Sequence, residues 1–256
     1  MKVKNYRTFW VLLGITVLSI PGLNYAIHNM LNNSFPKGRD GKSMLGSPFA
    51  FPDAWQNVAW NSGWTFIIPA ILVITLTTNE FTYKTHRQNI IDGWSRSQFV
   101  GVKLIELVLL SLLSTIVVLL TALGFGLIGN KVPEGVSIWQ GQRFLFFYFV
   151  QMLSYSMIAF LLAMLIKRAG LAIGAFLMYM LIEKIIVGIS HGFYKSNAAD
   201  YLPEEVTSML IPQSYVKGMS DMPKWEHQLP VYLVVAALYL IIYCVVTGRR
   251  FLKSDL

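Results

Sequence analysis

LIELVLLSLLSTIVVLLTALGFGLI, residues 104–128, carries one ionisable side chain, Glu106, and no other charge. An α-helix rises about 1.5 Å per residue, so roughly 20 apolar residues cover the hydrocarbon core of a bilayer. A helix this apolar on every side has no face suited to water. Outward from it, five more runs have the same character: Phe9 to Ala26, Val58 to Leu76, Phe144 to Ile166, Gly170 to Ile189 and Leu229 to Val246. Composition agrees, with 55% hydrophobic and 13% charged residues, where a soluble domain carries about a quarter charged. The expectation is an all-α integral membrane protein with six transmembrane helices and one domain over residues 1–256. Pro21 and Pro69 fall inside the first two runs and read as kinks, which membrane helices tolerate. Glu183 and Lys184 interrupt the fifth.

Orientation follows from the bias of Lys and Arg between alternate loops. With the amino terminus inside, the inner segments hold twelve basic residues against Glu80, Asp92 and Asp255, while the outer segments hold eight basic against eight acidic. Both termini are therefore expected in the cytoplasm of a multi-pass cell-membrane protein. The basic start, Met1 to Trp10, imitates a secretory signal, but the apolar stretch after it is too long for one and reads as a retained first helix. Asn29 to Asn57 reads as an irregular outer loop. Tyr201 to Met209, in the second long outer segment, reads as a short helix lying at the outer surface. Trp60, Trp64, Trp139 and Trp225 lie near predicted helix ends, where an indole is favoured.

Several function classes lose their support. The net charge of +8 is scattered over the ends of apolar runs and forms no nucleic-acid stripe. H-E-x-x-H is absent, and His28, His86, His191 and His227 are dispersed, so no metal site is expected. Glu204 and Glu205 are a paired carboxylate of the kind intramembrane proteases use, but in an outer loop without the accompanying arginine. Gly124 and Gly129 have P-loop spacing, yet Asn130 stands at the lysine position. The chain is thus expected to have no catalytic residues and no cofactor of its own. Cys244 is the single cysteine, which excludes an intrachain disulfide.

The inner segment between the second and third runs, NEFTYKTHRQNIIDGWSRSQFVGVK, residues 79–103, resembles the cytoplasmic segment of ABC-2 type transporter permeases. In that family a glutamate leaves the second helix, a short amphipathic coupling helix follows, and a Ser-Arg pair precedes a lysine at the start of the third. Glu80, Thr85, Ser95, Arg96 and Lys103 match. Lys84 stands where a glycine is common, and Gly93-Trp94 where a proline is common. The resemblance extends in organisation to six helices, inside termini, a tight inner turn after the fourth helix, a large outer segment before the sixth and a basic carboxyl end.

It implies a permease subunit, most often of an exporter, that pairs with a second permease subunit, identical or related. ATP and magnesium would be held by separate cytoplasmic ABC ATPase subunits. The ATPase-coupling residues would be Glu80, Tyr83, Lys84, Thr85, His86, Arg87, Ile90 and Arg96, with Lys167 and Arg168 as a second inner contact. Read from charge alone, Lys84, Arg87 and Arg96 equally suit anionic lipid heads. The alternative function is a non-transporting membrane scaffold or anchoring subunit of a multiprotein complex.

Ionisable groups within apolar runs are costly and often functional. Lys103 and Glu106 share a helix face at three-residue spacing and are expected to pair. Glu183 and Lys184 are adjacent and point apart, so a mutual ion pair is not expected; Lys184 can snorkel outward, leaving Glu183 as the candidate for an intramembrane role. Gln151, Ser154, Tyr155 and Ser156 suit interhelical hydrogen bonds or a path, and Gly170 and Gly174 a close helix approach.

Overall fold

The computed structural model describes residues 7–34, 48–83, 85, 95–128, 137–213 and 222–253, and among these there are helices and turns and no strand. The helices, in order, are α1 (Arg7–Ser34), α2 (Asp53–Ser62), α3 (Ile67–Thr82), α4 (Arg96–Leu127), α5 (Arg143–Ile166), α6 (Ala169–Gly192), α7 (Pro203–Ser208) and α8 (Met222–Lys253). Six helical segments are long and apolar enough to cross a membrane; α2 and α3 join through a 3-10 turn, Gly63–Phe66, into one of them. The chain is accordingly an all-α multi-pass membrane protein.

Span boundaries run wider than apolarity alone implies, because polar residues continue a helix beyond the hydrocarbon. α1 reaches Ser34, not Ala26, and α8 begins at Met222, not Leu229. The expected irregular loop from Asn29 to Asn57 is corrected at both ends: Asn29 belongs to α1 and Asn57 to α2. Pro21 does lie inside α1. Pro69 does not kink the middle of a helix; it sits in the first turn of α3, where a missing backbone N–H removes little. The break in the second span falls earlier, at Gly63, where an added Cβ would meet Gln151 Oε1 at 3.3 Å.

α5 is the centre. No charged residue lies between Arg143 and Lys167, and a helix apolar on all sides suits either lipid or enclosure by other helices. It packs against α2, α3, α4, α6, α7 and α8, and it joins two cores stacked along its length. Phe144, Phe147, Tyr148 and Met152 enter the first, with Trp55, Val206, Leu210 and Trp225. Tyr155, Ile158, Phe160 and Ala163 enter the second, with Ile74, Phe99, Phe176 and Met180. Lys167 ends α5 in a left-handed conformation, φ 58°, its N–H donating to Ala163 O at 2.9 Å, and α6 starts two residues later. This is the tight turn read from the sequence.

The largest correction concerns residues 198–211. The short helix expected within Tyr201 to Met209 is present as α7, entered by a 3-10 turn, Ala198–Tyr201, but it does not lie on a surface. It is folded in among α5, α6 and α8, with Glu204, Glu205, Val206, Thr207, Leu210 and Ile211 buried. Trp225, expected at an interface, is buried as well, and its Nε1 donates to Met209 O at 2.8 Å.

Candidate functional site

Charged side chains converge at two places on the bundle, one at each end. At the first, the last turn of α3 presents Glu80 and the first turns of α4 present Lys103 and Glu106. Lys103 Nζ lies 2.6 Å from Glu80 Oε1 and 2.7 Å from Glu106 Oε2. The Lys103–Glu106 pair is the one its spacing predicts; Glu80 joins it across the two helices.

Other residues of the quoted inner segment gather around this knot. Thr85 Oγ1 donates to Glu80 O at 3.5 Å. Ser95 caps α4: its Oγ accepts from Gln98 N at 3.2 Å while Gln98 Oε1 accepts from Ser95 N at 2.9 Å. Such a reciprocal cap fixes where the helix begins. Tyr83 is exposed. Arg96 opens α4, and Lys84, His86, Arg87 and Ile90, with most of the expected coupling helix, lie outside the described residues. Lys167, from the turn between α5 and α6, places its ammonium 5.5 Å from the centre of the Phe81 ring, next to Glu80 in sequence, and Arg168 is exposed beside it.

The second place is the far half of α6. Glu183 is buried, and its Oε1 accepts hydrogen bonds from the backbone N–H groups of Glu204 at 2.7 Å and Glu205 at 2.9 Å. The first N–H groups of any helix lack intrahelical acceptors; here a carboxylate from a neighbouring span supplies one. Lys184 and Glu183 do point apart, as adjacency requires, but Lys184 does not simply snorkel into solvent. Its Nζ lies 2.6 Å from Glu205 Oε2 and 3.6 Å from Glu204 Oε1. Burial pushes the Glu204 carboxyl up to about 7, with Lys184 drawing it down and Glu183 raising it.

Glu204 and Glu205 were read as a carboxylate pair but set aside as part of an outer segment, and their partners were not foreseen. A signal was present: Pro203 followed by two acids is a helix opening, and an intramembrane lysine needs a partner. Beside this cluster, helix α5 buries Gln151, Ser154, Tyr155 and Ser156, with Gln151 Nε2 3.3 Å from Tyr155 Oη. Gly170 and Gly174 make no close helix approach among the described residues, since an added Cβ at either meets nothing within 4 Å.

Among the described residues, no group of three or more His, Cys, Asp or Glu side chains is arranged to hold a metal ion. His191 instead faces Asp200, with 2.6 Å between Nε2 and Oδ1. Chemically, one cluster ties two spans together at the mouth of a loop, and the other pins a short buried helix to a span. No curated protein matches this sequence. A family model described as "Protein of unknown function (DUF2705)" matches residues 34–256, and the chain belongs to that family.

Proposed function

We propose that this chain is the membrane-spanning permease subunit of an ATP-binding-cassette transporter, working as an exporter beside a second permease subunit. Separate cytoplasmic ATPase chains bind and hydrolyse ATP with magnesium, and this chain contributes no catalytic group. The observation that carries the reading is the convergence at the α3–α4 end. Glu80, Thr85, Ser95 and Lys103, four of the residues on which the permease resemblance rests, stand at the base of one loop, and Lys167 meets Phe81, next to Glu80 in sequence. A loop rooted by an ion pair between two spans transmits a push on it to both spans, which is the work a coupling segment must do. On this reading that end and both termini face the cytoplasm, in accord with the distribution of basic residues. With few charges to line a path, the substrate class is a lipid-like molecule, a hydrophobic peptide or an apolar drug.

The test compares a Lys84→Glu, Arg87→Glu double variant with a Lys2→Glu, Lys4→Glu control of equal charge change. Breaking a close interfacial charge pair costs about 2–5 kcal/mol, and about 1.4 kcal/mol is tenfold in affinity. ATPase co-purification should fall more than about tenfold in the loop variant only. Full ATPase retention with normal transport in that variant overturns the coupling assignment, and a complex without substrate-stimulated ATP hydrolysis favours the scaffold.

A further inference from the structure

The α6–α7 cluster holds three carboxylates, Glu183, Glu204 and Glu205, around one ammonium, Lys184. Glu183 is committed to two backbone amides, and Lys184 approaches Glu205 more closely than Glu204. Glu204 keeps a second oxygen, Oε2, that is buried without a hydrogen-bond partner among the described residues. Its side chain is only 2% exposed. A buried carboxylate oxygen with no donor is costly, and a proton relieves that cost by neutralising the group.

Among the described residues, the surroundings offer no second cation. From α6 come Glu183, Lys184 and Tyr179; from α5, Tyr155; from α8, Tyr239 and Tyr243; from α7 itself, Glu205. Asp200 and Tyr201 stand on the adjoining 3-10 turn, and His191 is engaged by Asp200. Tyrosines and carboxylates bring no positive charge. We propose that Glu204 is a proton-binding residue, and that the proton it carries keeps α7 docked between α5, α6 and α8.

The direction of the pH response follows from burial. The docked carboxyl, near 7, lies above the ordinary 4.5 of a hydrated one, so the docked state binds the proton more tightly. The added stability is complete below about pH 4.5, weakens by up to about tenfold in equilibrium constant per pH unit, and is gone above about pH 7. The inference does not depend on the transport reading, since it concerns only how α7 is held.

The experiment uses the full chain in lipid nanodiscs on a Cys244→Ser background. Thr207, fully buried on α7, is replaced by cysteine and labelled with a small uncharged maleimide between about pH 5 and pH 8. Rates are divided by those of a Tyr194→Cys variant, exposed beyond α6, to cancel thiol ionisation. The normalised rate should rise by about tenfold or more across this range with Glu204 present, and by less than about twofold with Glu204→Gln, which stays neutral. Infrared difference spectra of the unsubstituted chain should show a carboxylic-acid carbonyl band that disappears over the same range, and that Glu205→Gln retains and Glu204→Gln lacks. A flat normalised rate with Glu204 present, no such band in the unsubstituted chain, or a band that persists in Glu204→Gln overturns the proposal.

Discussion

The two charged clusters are built in opposite senses. At the α3–α4 end the lysine is the enclosed partner and the acids are the more open ones, with Lys103 7% exposed against 27% for Glu80 and 45% for Glu106. At the α6–α7 end the acids are enclosed and the lysine reaches water, with Glu204 2% and Glu205 8% exposed against 47% for Lys184. A charge stripped of its partner rehydrates where it can and must otherwise change protonation or disrupt the fold. What decides the effect of removing a lysine is therefore the burial of the acids it leaves behind, not its own.

The sharpest test is to replace each lysine by methionine, which keeps the apolar stem. Lys184→Met strands two buried carboxylates, and breaking a buried pair costs about 3–5 kcal/mol. About 3 kcal/mol is expected at pH 8, measured as the shift of the urea or thermal transition in detergent. The deficit should shrink as pH falls, because Glu204, whose carboxyl burial already pushes up, takes up a proton in the folded state, so a larger loss at pH 5.5 than at pH 8 would contradict the account. Lys103→Met leaves acids more open to water than Glu204 and Glu205, so a smaller loss, of about 1 kcal/mol, is expected. A larger loss at position 103 than at 184 would reverse the comparison.

Glu183 tests the same cluster through its backbone contacts. Glu183→Gln keeps one carbonyl-type acceptor for the amides of Glu204 and Glu205 but removes the charge. Hydrogen bonds to charged groups contribute about 1.5–3 kcal/mol against about 1 for neutral ones. The expected loss is roughly 1 kcal/mol, with normal membrane insertion and lowered transport or assembly. Unchanged transport and stability would reduce Glu183 to a carboxylate without a role.

How much of this was legible in the sequence depends on the range of the contact. The six spans follow from local apolarity, and Lys103–Glu106 from helical spacing, so both could be read along the chain. Glu80 lies 23 residues from Lys103 and Glu205 lies 21 from Lys184; such pairings exist only once helices are packed. Tyr201 to Met209 read as a helix on the outer surface, yet Val206, Leu210 and Ile211 are apolar residues that the first core takes in. Their burial brought Glu204 and Glu205 with them. Glu183 was recognisable as costly where it stands, but its partners were backbone amides, which carry no sequence signal. Helix α5 was readable as central only in hindsight of its neighbours, since a charge-free run fits a lipid-facing helix equally well.

The smallest effect belongs to the ion pair that both of its members share with water. Arg143 Nη2 lies 2.8 Å from Glu226 Oε1, and the two side chains are 46% and 54% exposed. Solvent screening leaves an exposed pair of this kind with about 0.2–1 kcal/mol. The guanidinium is also held without its acid, 5.5 Å from the Phe144 ring centre and 5.3 Å from that of Trp225. Cation–π contacts at exposed sites contribute about 0.5–1 kcal/mol and survive removal of the carboxylate. Glu226→Gln should therefore change stability by less than about 0.5 kcal/mol, with no pH dependence between pH 5.5 and pH 8. Arg143→Ala, which removes the stacking as well, should cost more than Glu226→Gln in the same transition measurement. Equal effects of the two substitutions would show that the rings contribute nothing, and a loss in Glu226→Gln matching that of Lys184→Met would break the rule that burial of the charge left behind sets the scale.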